Sequence, residues 1–281
     1  MEQQLLEIRD QQKATWNKFS SGWKKWDDLT MGFLQPMGDE IILQLNPKGA
    51  EMVLDIAAGT GEPGLTIAAL LSGGEVVITD LADDMLIVAR EKAQEKGISN
   101  VQFQVCDVCE LPFPDNSFDA VSCRLGFMFF PDMQLAAKEM FRVLKPGGRI
   151  ATAVWDVPEK NAWVTVMSET IKRNIEIPAP APGAPGIFRC AQSGLISGLF
   201  QEAGFKNIRE KEVPVKLPSG TADTYWAMQN EVAAPVVTAL SKADEPTKEK
   251  IKREVYEQVN QQFPEGKVVF EGAALVIYGE K

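Results

Sequence analysis

A strand that breaks into a glycine-rich turn constrains the fold of this chain more than any other feature. Residues 53–64 read VLDIAAGTGEPG, where an apolar run is followed by Gly59, Gly61 and Gly64. Glycine has no Cβ, so a ligand can lie directly against the backbone of such a turn. A helix beginning near Pro63 adds unpaired N–H groups and the positive end of its dipole. The segment therefore predicts a β-strand, turn and helix that bind a nucleotide-like ligand.

Two acids indicate which ligand this turn takes. Asp80 ends the strand-like run 76–79, nineteen residues after Gly61, where a dinucleotide-binding enzyme has its ribose-binding acid. Asp55, however, lies four residues before Gly59, and a carboxylate there repels a pyrophosphate. A cationic ligand is favoured instead, and S-adenosylmethionine carries a sulfonium and an ammonium group but no phosphate. An NAD(P)-dependent oxidoreductase is the alternative.

Four motifs follow one another along the chain in a familiar order. They are VLDIAAGTGEPG at 53–64, VVITDLADDML at 76–86, FQVCDVCELPF at 103–113 and FRVLKPGGRI at 141–150. Together they resemble the class I S-adenosylmethionine-dependent methyltransferases, and within them the small-molecule enzymes of the ubiquinone/menaquinone-biosynthesis type. The resemblance covers most of the chain. It implies an α/β fold, with a Rossmann-like, mostly parallel seven-stranded sheet in the order 3-2-1-4-5-7-6, flanking helices and helical lid elements.

The resemblance also implies which residues bind the cofactor. These are Asp55, Ala57, Gly59, Thr60, Gly61, Asp80, Leu81, Met85, Asp107, Val108 and Arg124. Asp55 is expected to orient the methionine end of S-adenosylmethionine, and the turn that follows it passes beneath the cofactor. Asp80 is expected to bind both ribose hydroxyls. Ala57 stands where the general motif has its first glycine.

The adenine end of the cofactor involves the next two motifs. By the same resemblance, Leu81 and Met85 pack against the adenine ring. The Asp107 carboxylate accepts a hydrogen bond from the adenine amino group, and the Val108 N–H donates one to a ring nitrogen. S-adenosylhomocysteine would be the product left in this site.

One residue departs from the quinone-type pattern near the reacting end. Arg124 ends the run DAVSCR, where that pattern has a small serine. An unpaired guanidinium in a site for a cationic cofactor is costly, so Arg124 requires an anionic partner. That partner is either a protein acid such as Asp55 or Asp132, or a carboxylate or phenolate of the substrate.

Strand and helix signals alternate through most of the chain, as a parallel sheet requires. The predicted strands are 52–57, 75–80, 101–106, 119–124, 149–155, 206–217 and 267–279. The predicted helices are 5–29, 36–45, 63–72, 83–96, 132–144, 160–175, 192–203, 222–240 and 245–262. The run Lys-Pro-Gly-Gly at 145–148 is typical of a helix end followed by a tight turn.

This alternation predicts a single methyltransferase domain over residues 1–281. Within it we expect a helical lid at 1–46 and a cofactor-binding core at 47–155. Two helical and loop insertions would form the substrate side, at 156–204 and 218–266.

Aromatic residues near the predicted carboxyl edge of the sheet indicate where a substrate binds. The candidate contacts are Trp23, Trp26, Arg124, Phe127 and Trp155. Any one of them can be an ordinary core residue, but as a group they favour a small apolar or aromatic acceptor. The Pro-rich segment 177–186 is either an inert linker or a flap over this site, and its place in the chain favours the flap.

The absence of histidine excludes several kinds of catalytic and metal site. It excludes a Ser-His-Asp triad, a Cys-His pair and a His-rich metal site. Cys106 and Cys109 form half of a zinc-type motif, but no second CxxC exists, so we expect no metal. Methyl transfer needs none of these groups, because an acceptor nucleophile displaces the methyl in line when the two are held together without water. We assign no catalytic base.

Charge and hydropathy exclude two kinds of partner. The net charge is −10 and no Lys/Arg cluster stands out, so nucleic acid is not expected as a substrate. No apolar run is long enough to span a bilayer, and residues 1–4 lack the start of a signal peptide. We therefore expect a cytoplasmic protein acting on a small molecule. A non-catalytic S-adenosylmethionine-binding protein is a further alternative, which the intact set of acids and glycines opposes.

Overall fold

A seven-stranded sheet organises residues 2–178, 181 and 183–281, the part of the chain that the computed structural model describes. In chain order its strands are β1 (Met52–Ile56), β2 (Glu75–Asp80), β3 (Val101–Val105), β4 (Phe118–Arg124), β5 (Leu144–Trp155), β6 (Lys206–Gly220) and β7 (Val268–Glu280). Their spatial order is β3-β2-β1-β4-β5-β7-β6, and β7 runs antiparallel to both neighbours. The predicted fold class and strand order are confirmed.

Helices cover both faces of this sheet. They are α1 (Glu2–Lys25), α2 (Asp27–Leu45), α3 (Gly64–Leu70), α4 (Asp83–Glu95), α5 (Met133–Val143), α6 (Ala162–Asn174), α7 (Leu195–Ala203), α8 (Ala222–Val232), α9 (Ala234–Leu240) and α10 (Glu245–Gln262). Short 3₁₀ turns lie at Val108–Glu110, Phe127–Phe129 and Pro158–Lys160. Among the described residues, no helix combines the length and apolar character needed to cross a membrane.

The central strands form the core because they are continuous apolar runs buried on both faces. Leu54 of β1 is fully buried and is paired with Val77 of β2 and Val121 of β4. Strands β1 to β5 are mutually parallel, so their carboxyl ends meet at one edge of the sheet. That edge carries the predicted site.

The N-terminal helices differ from the sequence prediction. We expected a break between residues 29 and 36, but α2 continues through Pro36. Proline costs this helix one backbone hydrogen bond. Phe33, Met37 and Ile41 on the same helix are buried in the core, and this packing outweighs the loss.

Two other segments also differ from the prediction. Residues 222–240 form two helices rather than one, because Pro235 lacks an N–H and crowds the carbonyl four residues before it. The run 145–148 belongs to β5, which begins at Leu144 opposite Phe118. Gly147 has φ +77° and its N–H donates to the Lys281 carbonyl, so the segment is hydrogen-bonded rather than a free turn.

The predicted flap at 177–186 falls partly outside the described residues. Ala179, Pro180 and Pro182 are the positions concerned. Just after them, the Gly186 N–H donates to the Met128 carbonyl at 3.2 Å, which places residue 186 beside the turn that follows β4.

Candidate functional site

The carboxyl ends of four adjacent strands bring the predicted cofactor residues to one edge. Asp55 lies in β1, Asp80 ends β2, Asp107 follows β3 and Arg124 ends β4. The turn between β1 and α3 lies among them, with positive φ angles at Gly59 and Gly61. Residues that lie up to 69 positions apart in the chain, from Asp55 to Arg124, therefore come together at one edge of the sheet.

The Asp55 side chain extends from β1 to the N-terminal end of α3 and binds a backbone N–H there. Its side chain is fully buried, and Oδ2 accepts a hydrogen bond from the Gly64 N–H at 2.8 Å. The Ser122 hydroxyl of β4 donates to Oδ1 at 2.6 Å. Gly64 is required here, because a Cβ at this position would lie 2.6 Å from Asp55 Oδ2. The expectation that this helix start is open to a ligand is therefore wrong.

This arrangement disfavours a pyrophosphate at the turn. The Gly64 N–H that a phosphate would use is already bonded to a carboxylate, and a second anion beside that carboxylate is repelled. A ligand with positive charge gains from the same group. The site therefore suits S-adenosylmethionine better than a nicotinamide dinucleotide.

Burial raises the pKa of Asp55 to about 7, although the hydrogen bonds from Ser122 and Gly64 and the charge of Arg124 oppose the shift. The ordinary value is 3.8. The folded protein therefore binds more protons than the unfolded chain between these two pH values. The contribution of Asp55 to the free energy of unfolding consequently falls as pH rises from about 4 to about 7.

Cofactor affinity should change with pH in the opposite direction. Positive charge on the cofactor favours ionised Asp55, so we expect affinity to increase from about pH 5.5 to 7.5, by at most about tenfold per unit. Calorimetry with S-adenosylhomocysteine at several pH values measures this dependence. In Asp55→Asn the amide oxygen can still accept from the Gly64 N–H and the amide nitrogen can donate to the Ser122 hydroxyl, but the side chain cannot ionise, so its titration should be flatter. Equal slopes in the two proteins would contradict the role of Asp55.

Ala57 holds an unusual backbone conformation in the same turn. Its φ is +52°, in the left-handed region where a Cβ costs about 1–2 kcal/mol. Glycine avoids this cost but loses about 0.4–1 kcal/mol through the greater freedom of the unfolded chain. We therefore expect Ala57→Gly to stabilise the protein by up to about 1 kcal/mol, raising Tm by roughly 2–4 °C. A lower Tm in a thermal melt would show that this strain is absent.

Asp80 fixes the other side of the glycine turn. Its Oδ2 accepts from the Gly59 N–H at 2.9 Å, and its Oδ1 accepts from the Ala82 N–H at 2.8 Å. Each carboxylate oxygen accepts more than one hydrogen bond, so both can also receive ribose hydroxyls. Burial raises the pKa of Asp80, and those backbone bonds oppose the shift. Met85 of α4 reaches the turn, since its Cε lies 3.5 Å from where a Gly59 Cβ would be.

Asp107 and Val108, predicted from the sequence to bind adenine, lie just after β3. Asp107 Oδ1 accepts from the Cys109 N–H at 2.9 Å and so caps the short 3₁₀ turn that contains Val108. Burial raises the pKa of the Cys106 and Cys109 thiols to about 12, so both are protonated at neutral pH. Both side chains are partly buried against the hydrophobic core, which supports the interpretation of this pair as apolar packing.

Helix α1 lies across this edge through contacts that the sequence did not indicate. Asn17 donates to Asp83 and accepts from the Asp84 N–H, both at 3.1 Å, at the start of α4. Trp16 packs edge-on against Phe129, which follows β4, at a centroid distance of 5.2 Å. The helix therefore connects the end of β2 to the end of β4. No local signal marks Asn17, since its contacts join distant parts of the chain.

Helix α2 is joined both to the glycine turn and to α4 through the carboxylate of Asp27. Asp27 at the start of α2 accepts from Lys92 of α4 at 2.9 Å and from the Thr60 hydroxyl at 3.3 Å. Thr60 is buried. The cofactor turn and the N-terminal helices are thus one hydrogen-bonded assembly.

The predicted substrate aromatics divide into two groups. Trp23 lies beside Trp16, and its buried indole N–H lacks a partner within the described residues, so it can donate to a ligand. Trp26 instead donates to Glu231 at 3.1 Å. Phe127 is fully buried and Trp155 is 4% exposed, so both belong to the core rather than to an open pocket wall.

The residues present fit S-adenosylmethionine on their own chemistry. Asp55 can attract a cation, Asp80 has acceptor capacity for a diol, and the turn at Gly59 exposes bare backbone. The Trp23 N–H of α1, which has no partner within the described residues, is a further donor.

Comparison with known proteins agrees with this chemistry. Residues 53–148 match the family described as a methyltransferase domain. A demethylmenaquinone methyltransferase from Thermus thermophilus is 33% identical over 201 residues, which are 71% of this chain and 84% of that enzyme. A ubiquinone/menaquinone biosynthesis C-methyltransferase from Teredinibacter turnerae is 36% identical over 51% of this chain, which spans 60% of that enzyme.

A solved structure shows the same fold. The YcgJ protein from Bacillus subtilis has a TM-score of 0.58 and 23% sequence identity, over 88% of this chain and 98% of that one. At this identity the likeness concerns the fold alone.

Proposed function

Because this chain belongs to the class I S-adenosylmethionine-dependent methyltransferases, the family of its demethylmenaquinone-methylating relatives, we propose that it methylates a small apolar or aromatic acceptor between its N-terminal helices and the sheet edge. That it is an enzyme that uses S-adenosylmethionine on a small molecule follows from the family. The proposal adds the class of acceptor and the place where it binds. The observation that carries it is the aromatic cover formed by Trp16, Trp23 and Phe129.

Each end of the cofactor has its own set of residues in this proposal. Asp55 orients the methionine end and the turn at 57–61 passes beneath it. Asp80 accepts from the ribose hydroxyls, and Met85 and Leu81 pack against the adenine. Asp107 and Val108 bind the adenine edge. These roles are supported by the position of all these residues at one edge of the sheet. They are also supported by the Asp80 carboxylate, whose two oxygens accept hydrogen bonds from the Gly59 and Ala82 N–H groups on either side of it.

The protein's share of the reaction is positioning and exclusion of water. When bound, S-adenosylmethionine supplies a methyl group that an acceptor nucleophile displaces in line. The N-terminal helices cover the edge where the two would meet, and their contacts with Asp83 and Phe129 hold them over it. Holding reactants at contact distance away from water supplies much of the rate in such displacements.

We also propose that different segments of the chain have different roles in binding. Residues 1–46 act as a lid, 47–155 hold the cofactor, and the substrate side comes from 156–204 and 218–266. In support, Gly22 of α1 packs so closely on α8 that a Cβ would lie 2.0 Å from the Glu231 carbonyl oxygen. The cytoplasmic location and the exclusion of nucleic acid stay predictions from the sequence.

Transfer of a labelled methyl group tests the proposal directly. The protein is incubated with S-adenosylmethionine carrying a labelled methyl and a small-molecule extract of its host, and the products are separated by mass and polarity. We expect label in a low-mass aromatic compound. Label only in purely aliphatic compounds, or in no low-mass compound, would contradict the proposed acceptor class.

A further inference from the structure

Arg124 carries a positive charge that its surroundings satisfy poorly. Alternation along β4 places its side chain on the same face as Ser122, whose hydroxyl contacts Asp55. Nη1 lies 3.4 Å from the Leu34 carbonyl oxygen, and Nη2 lies 3.4 Å from the Met31 sulfur. The contact with the Leu34 oxygen is long for a hydrogen bond, and the thioether of Met31 is a weak acceptor. A guanidinium with five N–H donors is left with little to bind.

The acids around Arg124 are already bonded to other groups. Asp27, Asp55 and Glu62 lie near enough for their charges to raise the pKa of Arg124, although burial lowers it overall. Their partners are Lys92 for Asp27, Ser122 and Gly64 for Asp55, and Lys96 for Glu62. Within the described part of the chain, no salt bridge joins Arg124 to a carboxylate. Asp132, considered as a partner from the sequence, instead accepts from the Leu135 N–H and caps α5.

We propose that Arg124 binds an anionic oxygen group of a ligand inside the site, a carboxylate being the best match. A guanidinium presents paired N–H donors that fit the two oxygens of a carboxylate. Such a ligand offsets the cost of holding a half-buried charge without a protein partner. The backbone supports a functional role, because Leu125, the next residue, has φ +64°, and such strain concentrates at binding sites.

Two molecules in the reaction can supply this group. One is the carboxylate at the methionine end of the cofactor, which would lie beside Arg124 if its ammonium lies beside Asp55. The other is an acidic acceptor. The chemistry at Arg124 is the same in both cases, so the experiment has to separate the sources.

The inference rests on the proposed cofactor site, which a first measurement tests alone. Calorimetry with S-adenosylhomocysteine on the unaltered protein should show binding. Absence of binding would remove the proposed site, whereas binding leaves the role of Arg124 to be decided by variants.

The variants are Arg124→Gln and Arg124→Lys, with Arg209→Gln as a control. Arg209 is exposed on β6, where its guanidinium packs over Tyr278, so the control loses the same charge away from the site. Without ligand, Arg124→Gln should melt at or above the temperature of the unaltered protein, because it loses no ion pair. A clear fall in Tm for Arg124→Gln but not for Arg209→Gln would indicate a structural role and overturn the proposal.

Binding and turnover then identify the source of the anion. A loss of roughly tenfold to a hundredfold in S-adenosylhomocysteine affinity, with unchanged affinity for 5′-methylthioadenosine, assigns the cofactor carboxylate. The second compound lacks the amino-acid end. Unchanged S-adenosylhomocysteine affinity, with a similar loss of label transfer to compounds that an anion-exchange resin retains from the extract, assigns an acidic acceptor. Arg124→Lys should recover part of either loss. Equal losses of affinity for S-adenosylhomocysteine and 5′-methylthioadenosine, or no loss in either binding or label transfer, would overturn the proposal.

Discussion

Asp80→Ala is expected to weaken S-adenosylhomocysteine binding by roughly tenfold to a few hundredfold. A charge-assisted hydrogen bond contributes about 1.5–3 kcal/mol, and a net loss of that size for the ribose diol corresponds to this range of affinity. Calorimetry measures the loss. Asp80→Asn should lose less affinity, since one acceptor oxygen remains. Normal binding by Asp80→Ala would show that Asp80 does not bind the ribose.

The structure adds a cost to this variant that the sequence did not indicate. Asp80 also accepts from the Gly59 and Ala82 N–H groups, so its removal leaves both donors unpaired. We therefore also expect Asp80→Ala to lose about 1–3 kcal/mol in stability. Affinities of Asp80 variants should therefore be measured well below their melting temperatures.

Gly64→Ala is expected to lower both stability and cofactor affinity. The added Cβ would lie 2.6 Å from Asp55 Oδ2, 3.0 Å from Asp55 Cβ and 3.1 Å from Ile78 Cγ1. All three atoms are buried, so either α3 or Asp55 must move. Overpacking of this kind costs about 1–3 kcal/mol, and displacement of Asp55 breaks its bond to the Gly64 N–H.

A matched substitution separates crowding from the general effect of alanine. Gly32 lies in α2, and a Cβ at that position would meet nothing within 4 Å. Gly32→Ala should be neutral, or stabilising by up to about 1 kcal/mol. Thermal melts and calorimetry on both variants check the comparison, and a Gly64→Ala protein as stable as Gly32→Ala would exclude the crowding.

Strands β1, β2 and β4 and the glycine turn were predictable because their signals are local. Buried parallel strands are short apolar runs, and residue 59 needs a conformation that glycine adopts without strain. The bounds of β2 agree with the prediction for this reason. The bounds of α10 also agree with it. The occupied start of α3 was missed, because the pattern that marks Asp55 as a site residue does not show which atoms it bonds.

Features that join distant positions were not predictable from one sequence. Gly22 reads as an ordinary helical glycine until α8, more than 200 positions later, packs against it. The environment of Arg124 depends in the same way on α2, which crosses it about 90 positions earlier in the chain. Pro36 suggested a helix end because its cost is local, whereas the compensating burial of Met37 and Ile41 is tertiary.

The ion pairs that fasten α1 to the rest of the protein have a consequence for turnover. Lys24 with Glu91 and Lys25 with Glu231 both measure 2.7 Å, and their side chains are largely exposed. Exposed pairs of this kind contribute at most about 1 kcal/mol each and weaken as salt is added. Release of S-adenosylhomocysteine from beneath this helix should therefore become faster at high ionic strength. In an enzyme limited by product release, added salt would then increase the turnover rate. At higher salt the rate would fall again, because the loosened helix would no longer keep water from the reacting groups.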